Sequence, residues 1–258
     1  MTRIISVANQ KGGVGKTTTS VNLAAYLASF GNSVLLVDID PQGNASSGMG
    51  IDVKKIGRGI YEAIAGQAQV EDILHAAEVD GLHIAPATMN LAGANVELVN
   101  ISDREFRLHN ALKNVHDRFD YIIIDCPPSL GLLTINGIVA STEILIPVQT
   151  EYYALEGLSQ LLSTIELIRE NLKQDIAILG VVMTMYDERY RLSNAVFHEL
   201  HKSFPNKVFR IVVPRNVRLA EAPSHGKSVM QYDAGSPGAA AYRRLAQEIH
   251  MTKAKQYE

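Results

Sequence analysis

The stretch from Asn9 to Ser20, NQKGGVGKTTTS, has the residue types of a loop that binds phosphate groups. The pattern G-x-x-x-x-G-K-[ST] uses backbone N–H groups and a lysine to hold phosphates, and a hydroxyl to hold Mg²⁺. Gly15, Lys16 and Thr17 fit the end of this pattern. Gln10 stands where the first glycine belongs, and a second lysine, Lys11, follows it. The loop therefore predicts nucleotide binding, with one unexplained cation.

Each part of this loop has a predicted task. Gly12, Gly13 and Gly15 let the backbone turn so that successive N–H groups face an anion, and a helix N-terminus adds a positive dipole end. Lys16 is expected to reach the β- and γ-phosphates, and the Thr17 hydroxyl to coordinate Mg²⁺. The alternative is a glycine-rich turn between a strand and a helix that binds no ligand. A G-K-T sequence that directly follows a strand favours the phosphate site.

Two apolar segments, VLLVDIDPQGN and YIIIDCPPSLG, place aspartates at the ends of predicted strands. Asp125 is expected to bind Mg²⁺ through a water molecule. Asp38 and Asp40 are two residues apart, so their side chains are predicted to point the same way. Either could hold the attacking water or a water bound to the metal. A strand-end aspartate more often caps a turn, but two such ends beside a phosphate loop favour a metal site.

The phosphate loop and the strand-end aspartates can form one site only if the strands that precede them end at the same edge of one sheet. Apolar β-branched runs alternate with segments of helical period, and near-continuous apolar strands are typical of sheets covered on both faces. This order predicts an α/β fold with a doubly wound, mostly parallel sheet whose ligands bind at the carboxyl ends of the strands. The predicted strands are Ile4–Ala8, Ser33–Asp38, Leu82–Ala85, Tyr121–Asp125, Glu143–Val148, Ile176–Met183 and Val208–Val213. The predicted helices lie near Thr17–Phe30, Leu91–Asn100, Glu105–Val115, Thr134–Ala140, Leu155–Asn171, Leu192–Lys202 and Ala239–Thr252.

Length and composition limit the class of protein. The 258 residues, 47% hydrophobic with 19 glycines, are enough for one α/β domain, and no linker or repeat interrupts residues 1–258. No apolar run reaches the ~18 residues that span a membrane, and the N-terminus does not have the pattern of a signal peptide. We therefore expect a cytoplasmic protein. The single cysteine, Cys126, cannot form a disulfide within the chain.

The net charge of −3 hides an asymmetry along the chain. Residues 1–185 hold 12 Lys and Arg against 20 Asp and Glu, whereas residues 186–258 hold 12 against 7. A basic C-terminal third on an acidic body suggests a polyanionic partner. Solvated helix faces produce similar excesses, so charge alone leaves nucleic acid open.

The motifs together resemble a known family. KGGVGKTT, DIDPQGN and DCPPSLG are similar to the deviant Walker-A ATPases, which include the ParA/Soj partition proteins, MinD and the nitrogenase iron protein. MYDER and PRNVRLAEAPSHGK resemble the short chromosomal ParA proteins, usually called Soj, and the similarity covers nearly the whole chain. The resemblance implies a P-loop NTPase fold, ATP and Mg²⁺ as cofactors, and slow hydrolysis that depends on dimerisation.

The resemblance also implies roles for particular residues. Lys11 is the family's signature lysine, which reaches across an ATP-dependent homodimer to the phosphates held by the other subunit, and a side chain at Gly12 would obstruct the partner's loop. Asp40 matches the catalytic aspartate that orients the water, while Asp38 supports the metal's water shell. Pro214 and Asn216 frame the adenine. The implied nucleotide-binding set is Lys11, Gly12, Gly13, Val14, Gly15, Lys16, Thr17, Thr18, Pro214 and Asn216.

Nonspecific binding of double-stranded DNA is the second implied activity. Arg189 and Arg218 match the arginines that contact DNA in Soj proteins, and further basic candidates are Lys227, Lys202, Arg191, Arg243 and Arg244. Only three residues precede Ile4, so we expect no N-terminal helix-turn-helix extension. The implied partner is a ParB/Spo0J-like centromere-binding protein that stimulates hydrolysis, and the implied location is the nucleoid.

Other family members suggest alternatives. MinD-like membrane binding needs a basic amphipathic C-terminal helix, and the tail MTKAKQYE has no extended apolar face. The iron protein's shared cluster needs two cysteines per subunit, and this chain has one. A small-molecule ligase such as dethiobiotin synthetase shares the loop but does not account for Arg189, Arg218 and the basic third. An adaptor that binds ATP without hydrolysing it remains an alternative, although Asp40 is present.

Overall fold

A computed structural model describes residues 2–151, 154–172 and 174–252, and these form an α/β fold around one eight-stranded sheet. The strand order is β3-β4-β2-β5-β1-β6-β7-β8, and every neighbouring pair is parallel except β3 with β4. The predicted doubly wound sheet is therefore confirmed. The strands are β1 Arg3–Val7, β2 Val34–Asp38, β3 His75–Ala76, β4 Leu82–Ala85, β5 Tyr121–Asp125, β6 Glu143–Gln149, β7 Ala177–Tyr186 and β8 Val208–Pro214.

Helices connect the strands and cover the sheet. The α-helices are α1 Lys16–Ser29, α2 Asn44–Gly48, α3 Ile60–Ala65, α4 Ala94–Glu97, α5 Arg107–Leu112, α6 Leu132–Ala140, α7 Ala154–Leu172, α8 Arg191–Ser203, α9 Val217–Glu221, α10 Val229–Tyr232 and α11 Pro237–Met251. Short 3₁₀ turns lie at Val70–Ile73, Met89–Gly93, Leu98–Asn100, Arg104–Phe106, His116–Arg118 and Ala222–His225. In the described ranges, none of these helices is long and apolar enough to cross a membrane.

Apolar side chains fill a core on each face of the sheet. Along β5, Ile122 and Ile124 pack into one core with α3 and α5 to α8, while Ile123 packs into the other with α1 and α11. Because successive strand residues point to opposite faces, an all-apolar strand needs cover on both sides. The continuous apolar runs in the sequence reflect this double burial.

The predicted helix over Leu91–Asn100 is wrong as a single helix. A 3₁₀ turn, the four-residue helix α4 and a second 3₁₀ turn follow one another from Met89 to Asn100. Leu91, Ala94 and Leu98 are buried with helical spacing, which is why the pattern predicted a helix. Gly93 lies at the junction of the first two pieces, and glycine is a weak helix former.

Other boundaries differ by a few residues, and the shortest elements escaped prediction. The predicted helix over Glu105–Val115 is divided into a 3₁₀ turn and the shorter α5. Helices α2, α3, α9 and α10 each have six residues or fewer, too short for a periodic pattern. The last six residues of the tail, 253–258, lie outside the described residues.

Candidate functional site

The phosphate loop joins the carboxyl end of the central strand β1 to α1. Gly13 and Gly15 have φ angles of 75° and 88°, in the left-handed region that favours glycine. Gly15 immediately precedes α1, so the free N–H groups of that helix face the loop. The Thr184 hydroxyl on β7 donates a 2.7 Å hydrogen bond to the Val14 carbonyl. This bond holds the loop against the sheet.

Lys16 lies inside the loop. Its side chain is buried, and Nζ donates a 2.9 Å hydrogen bond to the Lys11 carbonyl. Burial lowers the pKa of Lys16, and the negative charges of Asp125 and Asp40 oppose that shift. A buried cation that the loop backbone holds beside the amino end of a helix is suited to bind phosphate oxygens.

Asp125 ends β5 beside the first turn of α1. Its carboxylate accepts hydrogen bonds of 2.8 Å from the Thr17 hydroxyl and from the Ser20 hydroxyl. Complete burial, with the nearby charge of Asp38, raises the pKa of Asp125 to about 8. Carboxylate and hydroxyl oxygens are the ligands that Mg²⁺ takes beside substrate phosphates. The donor set at Thr17 and Asp125 therefore fits this ion.

Asp38 and Asp40 have different partners despite their close spacing. Asp38 is fully buried and accepts hydrogen bonds from the Ser46 backbone N–H, at 2.8 Å, and the Ser46 hydroxyl, at 2.7 Å. Burial raises the pKa of Asp38 to about 6. Asp40 follows the strand, and its Oδ1 accepts a 2.9 Å hydrogen bond from the Gln42 N–H. Asp38 thus anchors α2, while the Oδ2 of Asp40 has no hydrogen bond within the described residues.

Lys11 and Gly12 lie at the rim of the loop. Lys11 is 36% exposed, and its Nζ forms an ion pair with Glu151, which also contacts the Gln149 amide. A Cβ built on Gly12 would meet only Pro128 Cβ, at 3.9 Å. Within one subunit, therefore, nothing in the described structure requires glycine at position 12.

A pocket of about 230 Å³ adjoins the phosphate loop. Gly15 and Thr18 line it on one side, and Pro214 and Asn216 on the other. The Asn216 side chain accepts a 3.1 Å hydrogen bond from the Arg218 N–H and so caps α9. The structure thus brings the predicted base-binding residues next to the phosphate loop, although they are some 200 positions apart in the sequence.

Comparisons with known proteins agree with this geometry. A family model described as an AAA domain matches residues 2–178. The sporulation initiation inhibitor protein Soj of Bacillus subtilis (strain 168) is 56% identical over 249 residues, 96% of this chain and 98% of that protein. The chain belongs to the ParA/Soj family of chromosome-partitioning ATPases.

Two further proteins extend the comparison. The chromosome partitioning protein ParA of Myxococcus xanthus (strain DK1622) is 52% identical over 247 residues, 96% of this chain and 87% of that protein. The structure of cobyrinic acid a,c-diamide synthase from Mycobacterium smegmatis with bound ADP and magnesium is 36% identical, covers 97% of this chain and 94% of that chain, and has a TM-score of 0.86.

All seven basic residues predicted to contact DNA in this ParA/Soj protein are exposed, and they lie on several elements. Arg218 and Lys227 lie in the segment from α9 to α10, where Arg218 forms ion pairs with Glu221, at 2.8 Å, and Asp233, at 3.2 Å. Arg189 pairs with Asp187 at 2.6 Å. Arg191 and Lys202 lie on α8, and Arg243 and Arg244 on α11.

Sequence reasoning missed several residues of the ParA/Soj site. Thr184 holds the phosphate loop, Ser46 holds Asp38, and Glu151 holds Lys11. None of them belongs to a recognisable motif, and Thr184 on β7 and Glu151 just after β6 are distant in sequence from the loop. Arg210 and Arg215 line the same cavity as Arg189 and Arg244. Arg215 stands inside the PRNVRLAEAPSHGK motif, and only its charge could have drawn attention to Arg210.

Proposed function

We propose that residues 1–258 form one ATPase domain whose ATP-bound form pairs with a second copy, binds double-stranded DNA without sequence preference, and returns to a monomer on hydrolysis. The observation that carries this proposal is the unequal placement of two lysines. Lys16 is buried in its own loop, whereas Lys11 lies at the exposed rim beside Gly12. A rim lysine is placed to reach phosphates that a second copy holds against this surface.

Hydrolysis needs a fixed phosphate chain and an oriented water. The loop N–H groups and Lys16 bind the phosphates, and Pro214 and Asn216 contact the base. Thr17 and Asp125 would hold Mg²⁺, which would supply positive charge to neutralise the phosphates. Asp40, whose Oδ2 is not hydrogen-bonded within the described residues, orients the attacking water. Lys11 of the other copy adds a cation only after pairing, so we expect hydrolysis by an isolated subunit to be slow.

The exposed basic residues support the DNA-binding part of the proposal. Lys and Arg contacts to phosphates give binding that is independent of sequence and weakened by salt. Each subunit presents only a few such residues, so pairing two subunits would double the number available to one duplex. DNA binding therefore follows ATP binding. A ParB/Spo0J-like protein is the partner expected to stimulate hydrolysis. Binding to chromosomal DNA would place the ATPase on the nucleoid.

The deciding experiment measures the affinity for a duplex of arbitrary sequence by fluorescence anisotropy, with ATP, with ADP and without nucleotide, over a range of salt. We expect tight DNA binding only when ATP is present, and a steep loss of DNA affinity as the salt concentration rises. A protein without ATP-dependent DNA affinity at low salt would contradict the partitioning function and favour a small-molecule enzyme.

Three variants separate the steps. Lys16→Ala is expected to lose ATP binding and with it DNA binding. Asp40→Ala is expected to bind ATP, remain dimeric in light scattering and bind DNA, because only hydrolysis is removed. Arg218→Glu is expected to dimerise but to bind DNA weakly. An Asp40→Ala protein that stays monomeric with ATP would show that Asp40 has another role.

A further inference from the structure

The phosphate loop has two separate anchors, one in each half. In the second half, the Val14 carbonyl accepts the 2.7 Å hydrogen bond from the Thr184 hydroxyl on β7. In the first half, the buried side chain of Asn9 joins the loop to β6, where its Nδ2 donates a 2.7 Å hydrogen bond to the Pro147 carbonyl. The half of the loop that carries Lys11 is therefore fixed by different groups from the half that precedes α1.

The Asn9 side chain continues the sheet at the point where the backbone leaves it. Strand β1 pairs with β6 as far as Val7 and Leu145, and the Ala8 N–H donates a 3.1 Å hydrogen bond to the Leu145 carbonyl. The carbonyl that accepts from Asn9 lies two residues farther along β6, at Pro147. The side-chain amide thus takes the place of the next backbone N–H, and the sheet holds the start of the loop.

The other end of the same amide holds the Lys11 backbone. Asn9 Oδ1 accepts a 3.0 Å hydrogen bond from the Lys11 N–H, and the Lys11 carbonyl accepts the 2.9 Å hydrogen bond from Lys16 Nζ. An amide offers a donor and an acceptor at once, so Asn9 can bond to β6 and to Lys11 together. An ionised aspartate lacks the donor, and alanine lacks both groups. Through one side chain, β6 therefore fixes the backbone of Lys11.

The glycines that follow Lys11 do not supply this restraint. Within the described residues, a Cβ on Gly13 would meet no atom within 4 Å, and one on Gly12 would meet only Pro128 Cβ, at 3.9 Å. Glycine also has the widest range of backbone conformations. The direction in which the Lys11 side chain leaves the loop therefore depends on the hydrogen bonds of its own backbone.

We infer that Asn9 is a positioning residue for Lys11: by fixing the Lys11 backbone to β6, it sets the direction in which the lysine crosses to the phosphates of the second copy. This inference rests on the proposed role of Lys11 in the dimer. A cation that is already in place stabilises a transition state without reorganisation. Without Asn9, the Lys11 backbone would be ordered only during pairing, and ordering one residue lowers an equilibrium constant about tenfold.

The test is a double-mutant cycle in the full chain, with ATP hydrolysis measured at saturating ATP and one protein concentration. Asn9→Ala is expected to hydrolyse ATP about tenfold more slowly than the unmodified protein. Its affinity for ADP in calorimetry is expected to stay unchanged, because the half of the loop before α1 keeps its own anchor. In the Lys11→Ala background, Asn9→Ala is expected to cause no further loss, because the side chain that it positions is absent.

Asn22→Ala is the matched control. Asn22 on α1 is also buried and makes the same two kinds of bond: its Nδ2 donates to the Thr18 carbonyl, and its Oδ1 accepts from the Val229 N–H, both at 2.8 Å. Neither bond involves Lys11. Any loss of hydrolysis in Asn22→Ala is therefore expected to be equal with and without the Lys11 side chain.

The cycle distinguishes failure of the inference from failure of the proposed function. Unmodified hydrolysis in Asn9→Ala, or an equal loss in both backgrounds, would show that Asn9 does not act through Lys11, and the proposed function would stand. Weaker ADP binding would instead make Asn9 a support of the whole phosphate loop. A Lys11→Ala protein that pairs and hydrolyses ATP like the unmodified one would remove the proposed role of Lys11 as well. If Asn9→Ala does not fold, Asn9→Asp replaces it, and an unmodified rate in that variant would equally overturn the inference.

Discussion

The two lysines of the phosphate loop differ in environment more than their spacing suggests. Lys16 is buried and donates a hydrogen bond to the Lys11 carbonyl, whereas the Lys11 side chain is held at the rim by Glu151. This ion pair occupies the side chain that the proposed dimer needs. In the proposed dimer, each Lys11 must leave Glu151 and bind a phosphate of the other copy. The ion pair with Glu151 therefore opposes dimerisation.

Glu151→Gln is expected to strengthen ATP-dependent dimerisation, because it removes the charge that Lys11 must leave. An ion pair this exposed contributes about 0.5 kcal/mol, and two are broken per dimer, so we expect about a fivefold lower dimer dissociation constant by analytical ultracentrifugation. Glu156→Gln, an exposed position on α7, is the control. Equal constants in the two variants would mean that Glu151 does not restrain Lys11.

Because Asp125 is buried, we expect the free energy of unfolding to depend on pH in the protein without nucleotide and Mg²⁺. Burial raises its pKa to about 8 in the folded state, against about 4 in an unfolded chain. The folded protein therefore holds a proton that the unfolded chain releases, and the free energy of unfolding falls as pH rises from 4 to 8. The slope from this group is at most about 1.4 kcal/mol per pH unit.

Urea denaturation at several pH values checks this expectation. Asp125→Asn has no titrating group at this position, so its free energy of unfolding is expected to change less between pH 5 and pH 8 than that of the unmodified protein. Parallel pH profiles would show that Asp125 is already ionised in the folded protein.

At the scale of elements, short helices connect the nucleotide site to the basic segment. Ser46 ties α2 to Asp38, and the turn that follows α2 includes Gly50, which packs against Gly226 between α9 and α10. The Val229 N–H donates a 2.8 Å hydrogen bond to Asn22 on α1. The segment that carries Arg218 and Lys227 is thus attached both to the helix that follows the phosphate loop and to the helix anchored by Asp38.

Gly226→Ala is expected to disturb this attachment. A Cβ at Gly226 would lie 2.8 Å from Gly50 Cα, and the residue has a φ of 66°. We expect the free energy of unfolding in urea to fall by about 1–3 kcal/mol. Gly235→Ala is the matched control, because its Cβ would meet only Asp233 Oδ1, at 3.7 Å. Similar urea midpoints for the two variants would show that the Gly50–Gly226 contact adapts easily.

The elements themselves were predictable to different degrees. Strands such as Tyr121–Asp125 agree with their apolar runs to the residue, because burial on both faces leaves a strong signal. Helix α2 follows D-x-D-P and has no apolar period, and hydrogen bonds from Ser46 to Asp38 fix it to the end of β2. Tertiary hydrogen bonds of this kind leave no local pattern.

At the scale of the whole molecule, the rim of the phosphate loop is the surface on which the proposed dimer depends. Gly12 is exposed there, with no close neighbour in its own subunit. Packing within one subunit does not require a small residue at position 12, and the neighbouring Lys11 is not used by its own loop. Both features suit close approach by a second copy.

Gly12→Val is expected to fold normally and to remain monomeric with ATP. Its melting temperature should match the unmodified protein, since surface changes away from tight contacts alter stability by less than about 0.5 kcal/mol. Light scattering with a nonhydrolysable analogue checks the oligomeric state, and Gly12→Ala, with one methyl group, should be affected less. A Gly12→Val protein that pairs as well as the unmodified one would place the interface elsewhere.

The sequence by itself determined the architecture and the phosphate loop. Apolar strands, the G-K-T sequence and the strand-end aspartates report local burial and local spacing, which physics ties directly to sheets and phosphate cradles. Only the tertiary structure decided that Glu151 holds Lys11, that Asp38 anchors α2 while Asp40 does not, and that Arg210 and Arg215 join Arg189 and Arg244. These contacts join side chains from separate elements, and their positions depend on how the helices and strands pack, which residue spacing along one element does not reveal.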